Sequence, residues 1–256
     1  MYAIIGGSGL YQLAGFQATR RQVVRTPYGE PSGALTFGRI GDGDELVFLA
    51  RHGYGHTQAP HRINYRANLW ALNEVGVDRI LSVATVGGVS PECGPGHLVV
   101  PDQIIDYTYG RANTFFDGGD QPVVHVDMTL PYSESLRQEL LLAAKGVAAE
   151  VSAVRDGGVY GCTQGPRLET TAEIRRLARD GVDIVGMTGM PEAALARELD
   201  LHYAALCVVT NHSAGVGDSR TEISLDDIRV TLDRTMQSVH CILGRMLGQL
   251  PVNRDS

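Results

Sequence analysis

Short apolar runs are the feature of this 256-residue sequence that most restricts its fold. Each run is too short for a helix and is typical of a buried strand. The runs are Tyr2 to Ile5, Leu46 to Ala50, Ile80 to Ala84, Leu98 to Val100, Val182 to Val185 and Leu206 to Thr210. Helical patterns separate them, at Tyr65 to Glu74, Leu136 to Ala149, Thr170 to Asp180 and from Ser224 onward. The third opens with the capping box Thr170-Thr171-Ala172-Glu173, and the last keeps one apolar face through a spacing of three and four residues. This alternation predicts an α/β fold with a mixed, largely parallel β-sheet flanked by helices.

The domain organisation follows from length and composition. Hydrophobic residues make up 43% of the chain and charged residues 20%, so one sizeable core can be buried. Neither a linker nor an internal repeat interrupts the pattern. We predict a single domain over residues 1–250 and a C-terminal tail over residues 251–256.

Charge and cysteine usage exclude several classes of partner. The formal net charge is −7 without a Lys/Arg cluster, so we expect no nucleic-acid partner. The chain opens on a strand pattern and contains no run of 18 apolar residues, so we expect a cytoplasmic protein that does not contact membranes. Its scattered cysteines are interpreted as reduced core residues rather than disulfides or metal ligands, and no metal site is predicted. They are Cys93, Cys162, Cys207 and Cys241.

A glycine-rich turn follows the first strand, in Ile4-Ile5-Gly6-Gly7-Ser8-Gly9. Glycines let backbone N–H groups approach an anion closely, and Ser8 adds a hydroxyl donor. A plain strand-to-helix turn would look the same. A dinucleotide fingerprint would need glycine where the chain has Gln12, so a dehydrogenase is the weakest alternative.

Two polar residues distant in sequence are expected to read a purine base. Glu169 lies on a tight turn before a helix, and Asn211 lies where a buried strand ends, on the usual ligand side of an α/β sheet. A carboxylate facing N1–H and an amide facing O6 or N7 match hypoxanthine, whereas adenine has an acceptor at N1. The Asn211 amide alone does not decide which base is bound, because it can flip to present either its oxygen or its NH₂ group. Glu169 alone could equally be a helix-terminus carboxylate satisfied by the helix dipole.

Arg51 and His52 follow the apolar run Leu46 to Ala50 and stand at its carboxyl end. An arginine fork matches phosphate bidentately, although an isolated Arg-His pair could also lie in a solvated loop. Ser8 and Thr188 also come just beyond strand ends, which favours an anion site. We expect an exposed Arg51 whose loss would leave the fold intact. His56 and His61 are interpreted as loop histidines rather than catalysts.

Four motifs in the same order resemble those of the trimeric purine nucleoside phosphorylase and methylthioadenosine phosphorylase family. They are Ile5 to Gly9, Ala50-Arg51-His52-Gly53, Asn64-Tyr65-Arg66-Ala67-Asn68 and Gly186-Met187-Thr188-Gly189-Met190-Pro191-Glu192. The resemblance extends from Ile4 to about Leu247. It implies a homotrimer and places residues 102–124 in the interface between subunits. On its own pattern of aromatic and polar residues, this segment is interpreted as an excursion outside the core.

The resemblance also implies roles for individual residues. Inorganic phosphate would be held by Ser8, Arg51, His52, Thr188 and the backbone N–H of Ala84. Met187 would lie under the ribose, although a methionine after a strand is commonly a core residue. The substrate pocket would also include Leu168, Glu169, Asn211 and Ser213.

The 5' end of the sugar is expected to be apolar. Relatives that cleave inosine place a histidine donor where this chain has Leu225, and Ile228 lies one helical turn away on the same face. Together they would offer an apolar wall to a methylthio group, although core packing explains both residues equally well. His125 resembles the residue that a neighbouring subunit contributes to this pocket.

The expected reaction is phosphorolysis of S-methyl-5'-thioinosine to hypoxanthine and 5-methylthioribose 1-phosphate, with inorganic phosphate as co-substrate and no cofactor. Asn211 and Glu169 are the expected catalytic residues. A methylthioadenosine phosphorylase would be expected to carry aspartates in place of Asn211 and Ser213, and an inosine or guanosine phosphorylase a histidine in place of Leu225. A nucleotide-binding regulatory module without turnover also fits the motifs.

Overall fold

The structure is a computed structural model that describes residues 1–7, 9–10, 14–118, 122–148, 153–217, 219 and 222–248. Ser8 and the C-terminal tail expected at residues 251–256 lie outside these ranges. The boundary at residue 250 therefore stays a prediction.

The predicted alternation of strands and helices holds only in part. Among the described residues no helix separates the first four strands, and five strands lie outside the predicted apolar runs. The strands are β1 (Tyr2–Gly6), β2 (Phe16–Gln22), β3 (Leu35–Ile40), β4 (Leu46–Ala50), β5 (Arg79–Gly88), β6 (Leu98–Val100), β7 (Gln103–Asp106), β8 (Val154–Asp156), β9 (Val159–Cys162), β10 (Ile184–Gly186) and β11 (His202–His212). The helices are α1 (Tyr65–Glu74), α2 (Glu134–Gly146), α3 (Thr171–Arg179), α4 (Gly189–Glu198) and α5 (Leu225–Met246), and a 3₁₀ turn spans Pro60–Arg62.

The sheet is mixed, and β5 is its branch point. Its order is β2-β3-β4-β1-β5-β10-β9-β7, with β11 also paired to β5 and β6 paired to β11 and β8. β11 runs parallel to β5 along its whole length, so β1 and β10 share the opposite edge. β1 pairs with Arg79–Ser82 of this edge, and β10 pairs antiparallel with Gly87 and Gly88. Residues 83–86 of β5 lie between these two pairings.

Hydrophobic side chains pack on both faces of the sheet, because successive residues of a strand point to opposite sides. Ile5 joins one cluster and Ile4 the other. α1 and α4 pack on the first face, and α2 and α5 pack on the second. The α/β class with helices on both sheet faces is therefore confirmed.

Most predicted elements agree with the structure, and the differences are instructive. β4 and α1 have the predicted limits, and Thr170 caps α3 with the predicted reciprocal bonds to Glu173. β5 extends to Gly88 and β11 to His212, beyond their apolar runs, because strand pairing continues through their polar ends. α2 begins at Glu134 and ends at Gly146.

The interpretation of residues 102–124 as an excursion outside the core is wrong in two places. β7 (Gln103–Asp106) pairs parallel with β9 at the edge of the sheet. Phe115 is buried in the first hydrophobic cluster, where its ring packs against Tyr28 and Trp70. Aromatic residues among polar ones therefore anchor this segment to the core.

Two further findings concern cysteines and membranes. All four cysteines are free thiols, and Cys93, Cys162 and Cys207 are buried, as predicted, whereas Cys241 is only partly buried. Burial raises the pKa of the Cys162 thiol to about 12. Over the described ranges, every helix is either too short or too polar to cross a bilayer.

Candidate active site

A cavity of about 570 Å³ opens where the edge of β5 lies between its pairings with β1 and β10. Ala84, Thr85 and Val86 of β5 line it. Because β10 runs antiparallel to β5, Met187 and Thr188 continue from β10 back towards Ala84 and line the same cavity. Side chains that follow several strand ends thus converge here, which is the usual position of a ligand site in an α/β sheet.

Arg51 is fully buried beside this cavity, so its predicted exposure at a strand end is wrong. Its Nε donates to Oε2 of Glu192 at 2.8 Å, and its Nη2 donates to Oε1 at 2.9 Å. Nη2 also donates to Ser82 Oγ at 2.6 Å, and Nη1 donates to the Val83 carbonyl at 3.0 Å. Burial alone would lower the pKa of Arg51, but the Glu192 carboxylate outweighs it and raises that pKa.

This arrangement changes what Arg51 can offer an anion. The bonds to Glu192, Ser82 and Val83 use four of the five N–H donors of a guanidinium. At most one N–H, on Nη1, is left for a ligand. The bidentate phosphate fork expected from the sequence is therefore directed at Glu192.

Gly7 shows how closely the first turn approaches this group. A Cβ at Gly7 would lie 2.6 Å from the Val83 carbonyl oxygen and 2.9 Å from Arg51 Nη1. A side chain here would displace the arginine. The glycine-rich turn thus packs its backbone directly against the Arg51 guanidinium, and Gly7 itself lines the cavity.

His52 is a neutral, buried imidazole in the cavity wall. Its pKa is lowered to about 4, first by burial and then by the neighbouring Arg51 charge. Nδ1 lies 2.8 Å from the Gln58 carbonyl oxygen, so Nδ1 carries the proton and Nε2 is an acceptor. Nε2 can therefore accept a hydrogen bond from a hydroxyl, such as that of hydrogen phosphate. The centroids of the His52 and His56 rings lie 4.3 Å apart, and His56 also lines the cavity.

Thr188 is the N-cap residue of α4 but makes no capping bond with its side chain. Thr188 is buried and lines the cavity. The neighbouring Met187 packs against the loop after β9, where a Cβ at Gly165 would lie 2.5 Å from Met187 Sδ. Gly165 also has a φ of +61°, which favours glycine.

Glu169 enters the cavity from the loop between β9 and α3. Thr163 Oγ1 donates to Glu169 Oε1 at 2.6 Å and so orients the carboxylate. The second oxygen, Oε2, can accept a hydrogen bond from a purine N1–H. Glu169 precedes Thr170, and Glu173 makes the capping box, so Glu169 is not the capping carboxylate of α3.

Asn211 follows a β-bulge at the end of β11 and lines the cavity. Its Nδ2 donates to the His212 carbonyl at 2.8 Å, and its Oδ1 accepts from Thr210 Oγ1 at 3.0 Å. A flipped amide would direct Oδ1 at the carbonyl oxygen, so these contacts set its orientation. The remaining N–H of Nδ2 can donate to O6 or N7 of a purine.

Ser213 adds a polar group to the same wall. Its side chain is 2% exposed, and within the described part of the chain its Oγ has no hydrogen-bond partner. A buried hydroxyl without a partner costs about 1–3 kcal/mol, which a bound base could recover. Gly87 allows this hydroxyl to approach β5, because a Cβ at Gly87 would lie 2.7 Å from it.

Leu225 and Ile228 both line the cavity, at the start of α5. Leu225 is 72% exposed, so the alternative that it is a core residue is excluded. The apolar face of α5 enters the core only from Leu232 onward. The first turn of the helix therefore presents apolar side chains to the cavity, as expected of a wall for an apolar group.

Of the remaining residues considered from the sequence, some line the cavity and others do not. Leu168 lines the cavity and is partly exposed. His125 lies on an exposed segment and is not part of the cavity wall of its own chain, and His61 is exposed in the 3₁₀ turn. Ser8 lies outside the described residues, so its role stays a prediction. No group of three His, Cys, Asp or Glu side chains suited to a metal occurs within the ranges that the structure describes.

Sequence reasoning missed three residues that hold this site together. Glu192 binds Arg51, Thr163 binds Glu169, and Arg111 reaches the loops after β9 and β10. Glu192 stood inside a quoted motif, and a buried charge beside Arg51 could have been suspected from it. Arg111 gave no local signal, because the carbonyls that it binds are more than 50 residues away in the sequence. Thr163 is only six residues from Glu169, but the loop conformation that joins them follows no regular period.

Comparison with known proteins is consistent with this geometry. The family model described as "Phosphorylase superfamily" matches residues 1–247. A probable S-methyl-5'-thioinosine phosphorylase of Pseudomonas syringae pv. tomato is 52% identical over 250 residues, covering 97% of this chain and 98% of the relative. A 6-oxopurine nucleoside phosphorylase of Pyrococcus furiosus is 48% identical over 223 residues, covering 85% of this chain and 82% of the relative.

A solved structure gives the same result for the fold. The methylthioadenosine phosphorylase of Schistosoma mansoni in complex with adenine superposes with a TM-score of 0.89 at 32% sequence identity. The match covers 96% of this chain and 90% of that chain.

Proposed function

The chain belongs to the phosphorylase superfamily, and on that basis we propose that it catalyses the reversible phosphorolysis of S-methyl-5'-thioinosine. The products would be hypoxanthine and 5-methylthioribose 1-phosphate. The proposal rests on one observation: a single cavity contains the oriented carboxylate of Glu169, the oriented amide of Asn211 and the apolar side chain of Leu225. The first two match a 6-oxopurine, and the third matches a methylthio group.

The chemistry needs no activated side-chain nucleophile, because phosphate itself attacks the anomeric carbon. Breaking the glycosidic bond leaves positive charge on the ribosyl ring and negative charge on the purine. The bound phosphate dianion stabilises the ring. Asn211 donates to the purine as its charge grows, while Glu169 holds N1–H, so these two are the proposed catalytic residues. The protein contributes position and electrostatics, and we propose no metal or organic cofactor.

The phosphate end of the cavity combines several modest donors. The Thr188 hydroxyl, the Ala84 backbone N–H and one N–H of Arg51 would donate to phosphate oxygens, together with Ser8. His52 Nε2 would accept from the hydroxyl of hydrogen phosphate. The Arg51 charge is balanced by Glu192, so the cavity does not hold phosphate through an unpaired positive charge. Such moderate binding suits phosphate, which must leave as part of a product.

We also propose that the active form is a homotrimer, in which His125 of one subunit reaches the pocket of another. The exposed position of His125, together with exposed Val123 and Leu130 on the same segment, supports such an interface. A cytoplasmic location is supported by the four free cysteines, since thiols stay reduced there.

The deciding experiment measures release of free base from methylthioinosine, methylthioadenosine, inosine and guanosine, each with phosphate and with arsenate. We expect anion-dependent release of hypoxanthine, with methylthioinosine as the preferred substrate. Comparable catalytic efficiency on methylthioadenosine would contradict the base assignment. A preference for inosine would favour a 6-oxopurine nucleoside phosphorylase like the Pyrococcus furiosus relative. Binding without anion-dependent release would instead indicate a regulatory module.

A further inference from the structure

Two separate segments supply the groups that would meet the substrate. The loop after β9 carries Glu169, and the segment after β10 carries Met187 and Thr188. They are joined by Arg111, a half-buried residue that lies beyond β7. Its position relative to both segments is therefore of interest for catalysis.

Arg111 donates hydrogen bonds to carbonyl oxygens of both segments. Nη2 donates to Gln164 at 2.8 Å and to Thr163 at 3.2 Å, on the first segment. Nη1 donates to Met190 at 2.6 Å and to Met187 at 2.9 Å, on the second. Nε donates to the Gln164 side chain at 3.2 Å. Nη1 also lies 3.3 Å from the Tyr65 hydroxyl of α1, which is the one contact of the guanidinium outside these two segments in the described part of the chain.

The acceptors are carbonyls that regular structure does not satisfy. Met190 has φ −119° and ψ 140° inside α4, so its carbonyl points away from the helical array. Thr163 and Gln164 follow the last residue of β9. Every hydrogen bond of Arg111 in the described part of the chain goes to a neutral acceptor, so its charge strengthens these bonds without forming an ion pair.

Each carbonyl that Arg111 binds lies close to a group that would contact the substrate. The carbonyl of Thr163 is held by Arg111, and its hydroxyl orients Glu169 at 2.6 Å. The Met187 and Met190 carbonyls flank Thr188, the residue at the α4 N-terminus. A shift of Arg111 would therefore move the carboxylate and the α4 N-terminus relative to each other.

We propose that Arg111 is a positioning residue for phosphorolysis, which joins the base-reading loop to the sugar and phosphate segment through four backbone carbonyls. The inference rests on the proposed function of the same cavity. Arg111 contacts no substrate itself. Its effect is expected mainly on the discrimination between bases, because Glu169 depends on Thr163 for its orientation.

The test compares Arg111→Ala and Arg111→Lys with Arg175→Ala, a control at an exposed arginine of α3 outside the cavity. The first readout is the ratio of kcat/KM for methylthioinosine to that for methylthioadenosine. This ratio does not depend on the fraction of folded enzyme, so a purely structural role would not move it. The second readout is hydrogen exchange of backbone amides in residues 163–170 and 186–191.

We expect both Arg111 variants to lower the ratio about tenfold or more, since displacement of a positioned group by about 1 Å can cost roughly 100-fold in rate. Lysine should not rescue it, because one ammonium cannot span both segments. Both segments should exchange faster in Arg111→Ala and at the wild-type rate in Arg175→Ala. A ratio within about twofold of wild type, with unchanged exchange, overturns the proposal.

The experiment gives a different result if the proposed function, rather than the role of Arg111, is wrong. If the wild type shows no anion-dependent release of hypoxanthine, the proposed reaction is wrong. Hydrogen exchange still tests then whether Arg111 holds the two segments. If the wild type is active and selective and Arg111→Ala keeps both properties, only the role of Arg111 is wrong.

Discussion

Arg51 and Glu192 form a two-point ion pair inside the protein, with Nε–Oε2 and Nη2–Oε1 distances of 2.8 and 2.9 Å. Their side chains are 1% and 0% exposed. Glu192 also accepts hydrogen bonds from Ser82 and Tyr203, so the pair is the centre of a buried polar network beside the cavity. Removal of one partner leaves the other charge buried and unpaired.

Arg51→Ala should therefore lower the free energy of unfolding by about 3–5 kcal/mol, because breaking one side of a buried ion pair is costly. This reverses the expectation from the sequence that the fold would tolerate the change. Urea unfolding at neutral pH measures the loss. Arg176→Ala is the control, since its side chain is 68% exposed and its ion pair with Asp180 should contribute about 0–1 kcal/mol. Equal stabilities of the two variants would contradict the prediction.

His52 should make stability depend on pH. Its folded pKa of about 4 lies below the ordinary value of 6.5, so only the unfolded chain binds its proton in mildly acidic solution. The contribution of neutral His52 to the free energy of unfolding is therefore complete above pH 6.5, and it is lost as the pH falls towards 4. Between pH 7 and pH 5 the loss from this residue should be about 2 kcal/mol.

The measurement compares urea unfolding of the wild type with that of His52→Asn at both pH values. His61→Asn, at an exposed histidine, is the matched control. The wild type and His61→Asn should lose more stability on acidification than His52→Asn does. Identical pH dependence in all three proteins would show that His52 titrates normally.

Glu169→Gln should weaken the discrimination against adenine. With its oxygen facing Thr163, the new amide would direct its NH₂ at the cavity and could donate to N1 of adenine. The wild type should reject methylthioadenosine by roughly 10⁴, and the variant should reduce this ratio by at least about tenfold. Glu173→Gln is the control outside the cavity, and it keeps the capping box of α3. A ratio of kcat/KM values that Glu169→Gln leaves unchanged would remove Glu169 from base recognition.

Asn211→Asp alone should not produce an efficient methylthioadenosine enzyme while Glu169 remains. The Glu169 carboxylate would still face the N1 acceptor of adenine, and the new carboxylate would face the His212 carbonyl that now accepts from Nδ2. The same assay with methylthioadenosine decides the point. An Asn211→Asp enzyme that cleaves methylthioadenosine as efficiently as the wild type cleaves methylthioinosine would contradict the assignment.

Leu225→His should narrow the preference for methylthioinosine over inosine. Leucine favours the methylthio group by about 1–3 kcal/mol of apolar burial and leaves a 5'-hydroxyl without a partner, so the wild-type preference should be at least about tenfold. Histidine supplies a donor and removes part of the apolar wall. Because Leu225 is largely exposed, the change should not affect folding.

The ratio of kcat/KM values for the two nucleosides tests this, with Val230→His as control at an exposed position of α5 outside the cavity. A wild type that prefers inosine, or a Leu225→His ratio equal to that of Val230→His, would exclude Leu225 from the 5' pocket.

Local pattern was enough to predict much of the scaffold. The limits of β4 and α1, the capping box at Thr170 and the amphipathic α5 follow from residues close in sequence. Glu169 and Asn211 were also expected to contact one base, and both line the cavity. Shared strand direction does not explain this, because β9 runs antiparallel to β11. The amide orientation of Asn211 was not predicted, since it is set by the Thr210 hydroxyl and the His212 carbonyl in the folded chain.

What the sequence determined by itself is the apolar strands β1, β4, β5, β6, β10 and β11, the main helices and the residue types brought to the strand ends, because hydrophobic periodicity and capping act over a few residues. Only the tertiary structure decided that Arg51 is buried against Glu192, 141 residues away, and that the edge of β5 between β1 and β10 lines the cavity. It also decided that Arg111 bridges two loops. Such contacts join residues whose separation no local period encodes, and burial of the Arg51 charge is tolerable only because the folded chain supplies a carboxylate there.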